Sequence, residues 1–191
     1  MRQEQYVTEP EIAADVLWKA YLLGDIRPEV SIADIGAGPG SLGLGAALLG
    51  AGKVFLVDSD KEALDIAKMN LAHLKSEGLM VGKDKIVLRL IEVSSFNDKV
   101  EVVLQNPPFG IKKRHADRPF LNKAAEISTV VYSFHKSESV GFARGFMEGK
   151  GFRLTHIWDY ELALKATQKY HIRRIKRIKV SCLRFKREEQ E

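Results

Sequence analysis

Four consecutive residues, Asn106-Pro107-Pro108-Phe109, carry the most legible chemistry in the chain. They follow the short apolar run from Val100 to Leu104, which reads as a buried parallel strand. Two successive prolines offer no backbone N–H and fix φ at about −65°, so the strand must stop there. The residue before a proline is pushed out of the helical region. Asn106 is thereby held extended at the carboxyl end of a strand, where open α/β sheets bind their ligands. This arrangement suits attack by a weak nucleophile, an amino nitrogen conjugated to a ring or carbonyl and therefore almost planar. The Asn106 side-chain oxygen can accept one of its N–H groups and the Pro107 carbonyl the other. Two acceptors out of the plane favour the pyramidal nitrogen that exists only in the transition state, where binding raises rate. Phe109 offers a ring face on which a planar base can stack.

A second constellation lies upstream, at Asp34-Ile35-Gly36-Ala37-Gly38-Pro39-Gly40. Glycines there let the backbone take turn angles and approach a ligand closely. A dinucleotide fingerprint would read G-x-G-x-x-G; here glycines fall at 36, 38 and 40, and Ser41 takes the place of the third fingerprint glycine. Asp34 would repel a pyrophosphate and attract a sulfonium cofactor with a free amino group, which favours S-adenosyl-L-methionine over NAD. Asp58 ends the next strand and can accept both ribose hydroxyls of an adenosine. Glu92, with Val93 beside it, ends a third strand and could meet the adenine.

The elements that must hold these residues alternate. Thr8 is placed to cap a helix from Pro10 to Leu23. Strands are expected at 31–35, 53–57, 86–91 and 100–104, with helices at 42–49 and from Asp60, its N-cap, to Gly78. A helix over 121–130 would lead into an apolar strand around Val131 and Tyr132, and Ser137 could cap another ending at Gly149. Two last strands, 152–158 and 176–185, close the pattern; 160–171 carries no clear signal. Such alternation predicts a mostly parallel seven-stranded sheet with one antiparallel strand and helices on both faces. One domain over 1–191 is expected from 191 residues of ordinary soluble composition, 45% hydrophobic and 29% charged.

No apolar run is long enough to cross a bilayer, the N-terminus lacks a signal-peptide core, and Cys182 is the only cysteine. A cytoplasmic protein without a metal site of its own is expected. The net charge of +5 is unevenly spread. Ten Lys or Arg and no acid lie between Lys165 and Arg187, and Lys112, Lys113, Arg114, Arg118 and Lys123 follow the Asn-Pro-Pro-Phe stretch. Two such clusters suit a phosphate-tracking surface.

Asp34 to Gly40, Asp58 and Asn106 to Phe109 together resemble the S-adenosylmethionine-dependent amino methyltransferases. With Glu4-Gln5-Tyr6-Val7-Thr8 and Tyr132-Ser133-Phe134-His135-Lys136, the chain is similar over nearly its whole length to the archaeal and eukaryotic enzymes that modify adenine N6 in small-subunit ribosomal RNA. The resemblance implies a Rossmann-like class I methyltransferase fold. It implies that Gln5 and Thr8 close over the cofactor, that Gly36, Gly38, Pro39 and Ser41 line its methionine end, and that Asp58 holds the ribose and Glu92-Val93 the adenine. Asn106, Pro107, Pro108 and Phe109 would be the catalytic set. The family has proline where Val7 stands and aspartate where Glu92 stands, and it commonly pairs with a small zinc-binding activator subunit.

The expected reaction is methylation of an adenine N6 amine in structured RNA, with the base turned out of its stack. The same motif would serve guanine N2 or a glutamine side-chain amide. An RNA-binding module with a degenerate nucleotide pocket is the non-enzymatic alternative, against which the intact acid–glycine–acid–Asn set argues.

Overall fold

Neighbouring residues of the central strands enter different cores, which forces a sheet covered on both faces. In β1 (Ser31–Ile35), Ile32 joins one core while Ala33 and Ile35 join the other; in β4 (Val102–Gln105), Val102 and Leu104 oppose Val103 in the same way. The computed structural model describes residues 8–79, 85–108, 117–164 and 176–188, with the side chains of all of these except 162–164, 176 and 177. Beyond β1 and β4, the elements are α1 (Pro10–Leu22), α2 (Ser41–Leu48), β2 (Lys53–Asp58), α3 (Lys61–Ser76), β3 (Ile86–Leu90), α4 (Arg118–Ile127), β5 (Val130–Lys136), α5 (Val140–Glu148), β6 (Phe152–Leu164) and β7 (Lys176–Arg187).

One seven-stranded sheet runs in the order β3-β2-β1-β4-β5-β7-β6. All neighbouring pairs are parallel except those made by β7, which runs antiparallel to both β5 and β6. Helices α1, α2 and α3 cover the face that carries Ile32, Leu56 and Leu104. The opposite face, with Ile35, Val57 and Val103, is covered by α4 and α5. The chain steps outward from β1 to β2 and β3, then returns to place β4 on the other side of β1. Right-handed crossovers put the two sets of helices on opposite faces, and the reversal opens a crevice between the carboxyl ends of β1 and β4.

Several boundaries differ from expectation for local reasons. The N-cap position of α1 is Glu9 and no side chain caps the helix there; Thr8 is turned elsewhere, as described below. Asp60 does cap α3, its Oδ1 accepting from Glu62 N (2.9 Å) and Ala63 N (3.4 Å). α4 begins at Arg118, with Pro119 in its first turn, and ends at Ile127, so Val130 belongs to β5. A single 3₁₀ turn, Ser137–Ser139, precedes α5, and Ser137 Oγ meets Ser181 Oγ rather than capping the helix. β6 continues past Trp158 to Leu164, well into the stretch without a sequence signal. Among the described residues no helix is long and apolar enough to cross a membrane.

Candidate functional site

The loop after β1 is built by three glycines with positive φ, Gly36 (73°), Gly38 (53°) and Gly40 (85°), a region that side-chain-bearing residues avoid. Its first two N–H groups, of Gly36 and Ala37, both donate to Val57 O (2.8 and 3.0 Å), which holds the loop against β2. Pro39 O accepts from Asn70 Nδ2 of α3 (3.0 Å), and Ser41 begins α2. A Cβ added to Gly36 would stand 2.8 Å from Phe120 Cε1 on α4, whereas at Gly38 it would meet none of the described residues within 4 Å. Among the described residues the loop is therefore closed at Gly36 by an aromatic ring and open at Gly38.

Two carboxylates support it. Asp58, buried at the end of β2, accepts from Gly38 N (2.8 Å) through Oδ2 and from Asp60 N (2.9 Å) through Oδ1. Each oxygen keeps a lone pair for a further donor. Asp34 lies beneath the loop at 1% exposure, and its Oδ2 accepts from Gly43 N (2.8 Å) in the first turn of α2. Burial pushes its pKa up to about 7; the Gly43 N–H opposes this and the nearby Asp58 charge adds to it. Asp34 acts on the loop from below, as a helix-start acceptor. Glu92 is exposed and precedes a 3₁₀ turn whose Val93 is buried; Ile91 N donates to Asp58 O (3.0 Å), which brings the ends of β2 and β3 together.

Across the crevice, β4 runs one residue further than expected. Gln105 still pairs with Ser133 of β5, and Asn106 stands directly beyond it, with Pro107 buried and Pro108 half-buried. The prolines end the ladder as their chemistry requires. Asn106 Nδ2 donates to Thr8 Oγ1 (3.0 Å), and Thr8 is 4% exposed. The N-terminal motif and the Asn-Pro-Pro motif thus meet through a direct side-chain bond. Gln5 and Phe109 lie outside the described residues, as do Lys112, Lys113 and Arg114.

The structure brings Gly36, Gly38, Pro39, Ser41, Asp58, Glu92 and Val93 to the same end of the sheet as Thr8, Asn106, Pro107 and Pro108. The side chains that meet the loop from the strand ends are carboxylates, which suit hydroxyl and ammonium donors and not a pyrophosphate. Together with the open side of Gly38, this donor set fits S-adenosyl-L-methionine. Tyr132 and Phe134 are each 1% exposed, so these residues of β5 belong to the core. Two basic residues leave the proposed phosphate surface. Arg184 is buried against Asp25 (Nε–Oδ2 2.7 Å, Nη2–Oδ1 2.9 Å), and Lys123, 5% exposed, bonds Asn97 Oδ1 (3.0 Å) and Glu126 Oε2 (2.9 Å). Asp25 and Asn97 lie far from these residues in sequence, so charge clustering alone could not reveal those bonds; Glu126 is a local partner, three residues from Lys123 on α4.

Comparisons with known proteins agree with this geometry. The family model described as Conserved hypothetical protein 95 matches residues 19–137. The rRNA N(6)-adenosine-methyltransferase METTL5 of Danio rerio is 31% identical over 95% of this chain and 87% of its own length. A crystal structure of a candidate RNA methyltransferase from Pyrococcus horikoshii superposes with a TM-score of 0.84 at 42% identity, covering 97% of this chain and 87% of that one. Magnesium protoporphyrin IX methyltransferase of Synechocystis, solved with bound S-adenosylmethionine, is 12% identical and covers 94% of this chain and 79% of its own. Its TM-score of 0.73 shows the shared fold.

Proposed function

The chain belongs to the family described as Conserved hypothetical protein 95 and to the METTL5-type rRNA N6-adenosine methyltransferases, and on that premise we propose that it methylates the N6 amine of an adenine in structured ribosomal RNA. The observation that carries this reading is the position of Asn106-Pro107 beside the glycine loop, across the crevice between β4 and β1. S-adenosyl-L-methionine, when bound, supplies an electrophilic methyl group. Gly36, Gly38, Pro39 and Ser41 would line its methionine end, Asp58 would accept its ribose hydroxyls, and Glu92 with Val93 would meet its adenine; Gln5 would close over it.

Asn106 Oδ1 and the Pro107 carbonyl accept the two N–H groups of the target amine. Held between them, its nitrogen is drawn out of the ring plane and its lone pair is freed for attack. Thr8 commits Asn106 Nδ2, which turns the amide so that Oδ1 serves as the acceptor for substrate. Pro108 keeps the strand from continuing, and Phe109 would stack on the extruded base. The proton leaves the cationic product after transfer, so no strong base is needed. The whole chain would act as one methyltransferase domain.

We also propose a cytoplasmic setting and a small zinc-binding activator subunit as partner. An edge strand such as β3, which pairs with β2 alone among the described residues, offers backbone groups to which a partner's strand could add. The reading is tested with Asn106→Ala. The variant should lose methyl transfer by at least about 100-fold while binding S-adenosylhomocysteine as the parent does; an active variant would remove Asn106 from the mechanism.

A further inference from the structure

Asn106 stands one residue beyond the last pair of β4 with β5, Gln105 with Ser133, because Pro107 cannot continue the ladder. β5 itself goes on through Phe134, His135 and Lys136, paired with β7 alone among the described residues. Side chains occupy the place of the missing ladder. Gln105 Nε2 donates to Ser133 Oγ (2.8 Å), Ser133 Oγ meets His135 Nε2 (2.6 Å), and His135 Nδ1 meets Asp117 Oδ2 (3.1 Å). Gln105 and Ser133 are fully buried and His135 is 2% exposed.

The chemistry of these groups gives the chain one direction. A carboxylate only accepts, so in the neutral imidazole Nδ1 carries the proton and Nε2 the lone pair. Nε2 then takes the Ser133 hydroxyl proton, which leaves Ser133 Oγ to accept from Gln105. The buried Gln105 Oε1 has no partner among the described residues. Turning the amide over would set that carbonyl against a hydroxyl whose proton is already committed to His135. The polarity of the chain thus outweighs satisfaction of Oε1.

Both ends of the chain adjoin functional parts. Gln105 is the residue before Asn106. Asp117 occupies the N-cap position of α4 yet does not cap it, giving its carboxylate to His135 instead. Three residues on, Phe120 closes the glycine loop at Gly36.

We propose that Ser133, His135 and Asp117 are positioning residues: they tie the end of β4 to the start of α4, and so fix where Asn106 and Pro107 stand relative to the glycine loop. The inference rests on the methyltransferase reading for its kinetic part and on hydrogen bonding alone for its structural part. The structural part is tested on the full chain labelled with ¹⁵N-histidine, the His135 signals being assigned by their loss in His135→Phe. The expected result is a neutral ring protonated at Nδ1 and bare at Nε2 near neutral pH. The other tautomer, or an imidazolium, would break the direction of the chain and overturn the proposal.

The kinetic part uses Ser133→Ala, His135→Phe and the double variant, with kcat counted per site titrated by S-adenosylhomocysteine. Each single change should lower kcat about 100-fold, the loss that a misplacement of about 1 Å brings, with the KM for RNA and the Kd for S-adenosylhomocysteine changed less than about threefold. The double variant should lose no more than either single one, because parts of one unit are not additive. Unchanged kcat per site, with falling Tm and cofactor affinity, would mean a merely structural role, and losses that multiply would mean independent ones; either overturns the proposal. Absence of RNA methylation in the parent would count against the functional reading itself, and the tautomer would then decide whether the relay exists.

Discussion

Thr8 and Asn106 are 98 positions apart, yet one hydrogen bond between them decides which way the Asn106 amide faces. Thr8→Val keeps the shape and removes the acceptor. We expect kcat to fall by about tenfold, the value of one neutral hydrogen bond, with cofactor affinity little changed; isothermal titration and single-turnover methylation would separate the two. Asp34 makes a different prediction. Its pKa is raised by burial to about 7 from the ordinary carboxylate value of 3.8. The folded state therefore holds a proton that the unfolded state releases between these values, so this residue's contribution to stability is full at the acid end and is lost as pH rises toward 7. Asp34→Asn, which keeps an acceptor for Gly43 N, should flatten that part of the stability profile. Urea unfolding at several pH values would show it. Asn106 and Asp58 were legible in the sequence because prolines and strand ends mark them locally. Thr8 was placed in the site by resemblance and misread locally as a helix cap, because its partner comes from another strand end. Ser133 and His135 were marked only as part of the resemblance and Gln105 not at all, because a buried polar relay is a fact of three elements meeting.

At the scale of elements, the glycine loop depends on its neighbours as much as on its own residues. Gly36 needs a positive φ and also gives way to Phe120. Gly36→Ala should destabilise the protein by about 1–2 kcal/mol from the backbone alone. Gly36→Ala combined with Phe120→Leu should relieve the steric part and leave the backbone part, so thermal unfolding of the two would divide the cost. Strand β1 and the proline-terminated end of β4 follow from apolar runs bounded by Gly or Pro, which is why their places were predictable within about two residues. The far end of β6 was not. Its pairing with β7 runs from Phe152 to Leu164, and a strand kept in register by its partner needs no alternation of its own.

Charge is the property of the whole molecule that sequence overstates. Ten basic residues near the C-terminus read as one surface, but Arg184 points inward to Asp25, Tyr132 and Thr155. Arg184→Ala leaves the Asp25 carboxylate with the Tyr132 hydroxyl but without its counter-charge, and should cost about 3–5 kcal/mol of stability without altering the salt dependence of RNA binding. Replacing exposed Lys179 and Lys186 should do the reverse, lowering the slope of log K against log salt with Tm unchanged. Fluorescence titrations over a salt series, with thermal unfolding beside them, distinguish the structural cation from the solvent-facing ones.

Labelled methyl transfer from S-adenosylmethionine to ribosomal RNA of a methylation-deficient strain, followed by nucleoside analysis, tests the central claim most directly. The chain, alone or with the proposed zinc-binding partner, should place label in N6-methyladenosine, and Asn106→Ala should abolish it. Label in N2-methylguanosine, or in no nucleoside while S-adenosylmethionine is bound, would contradict the account.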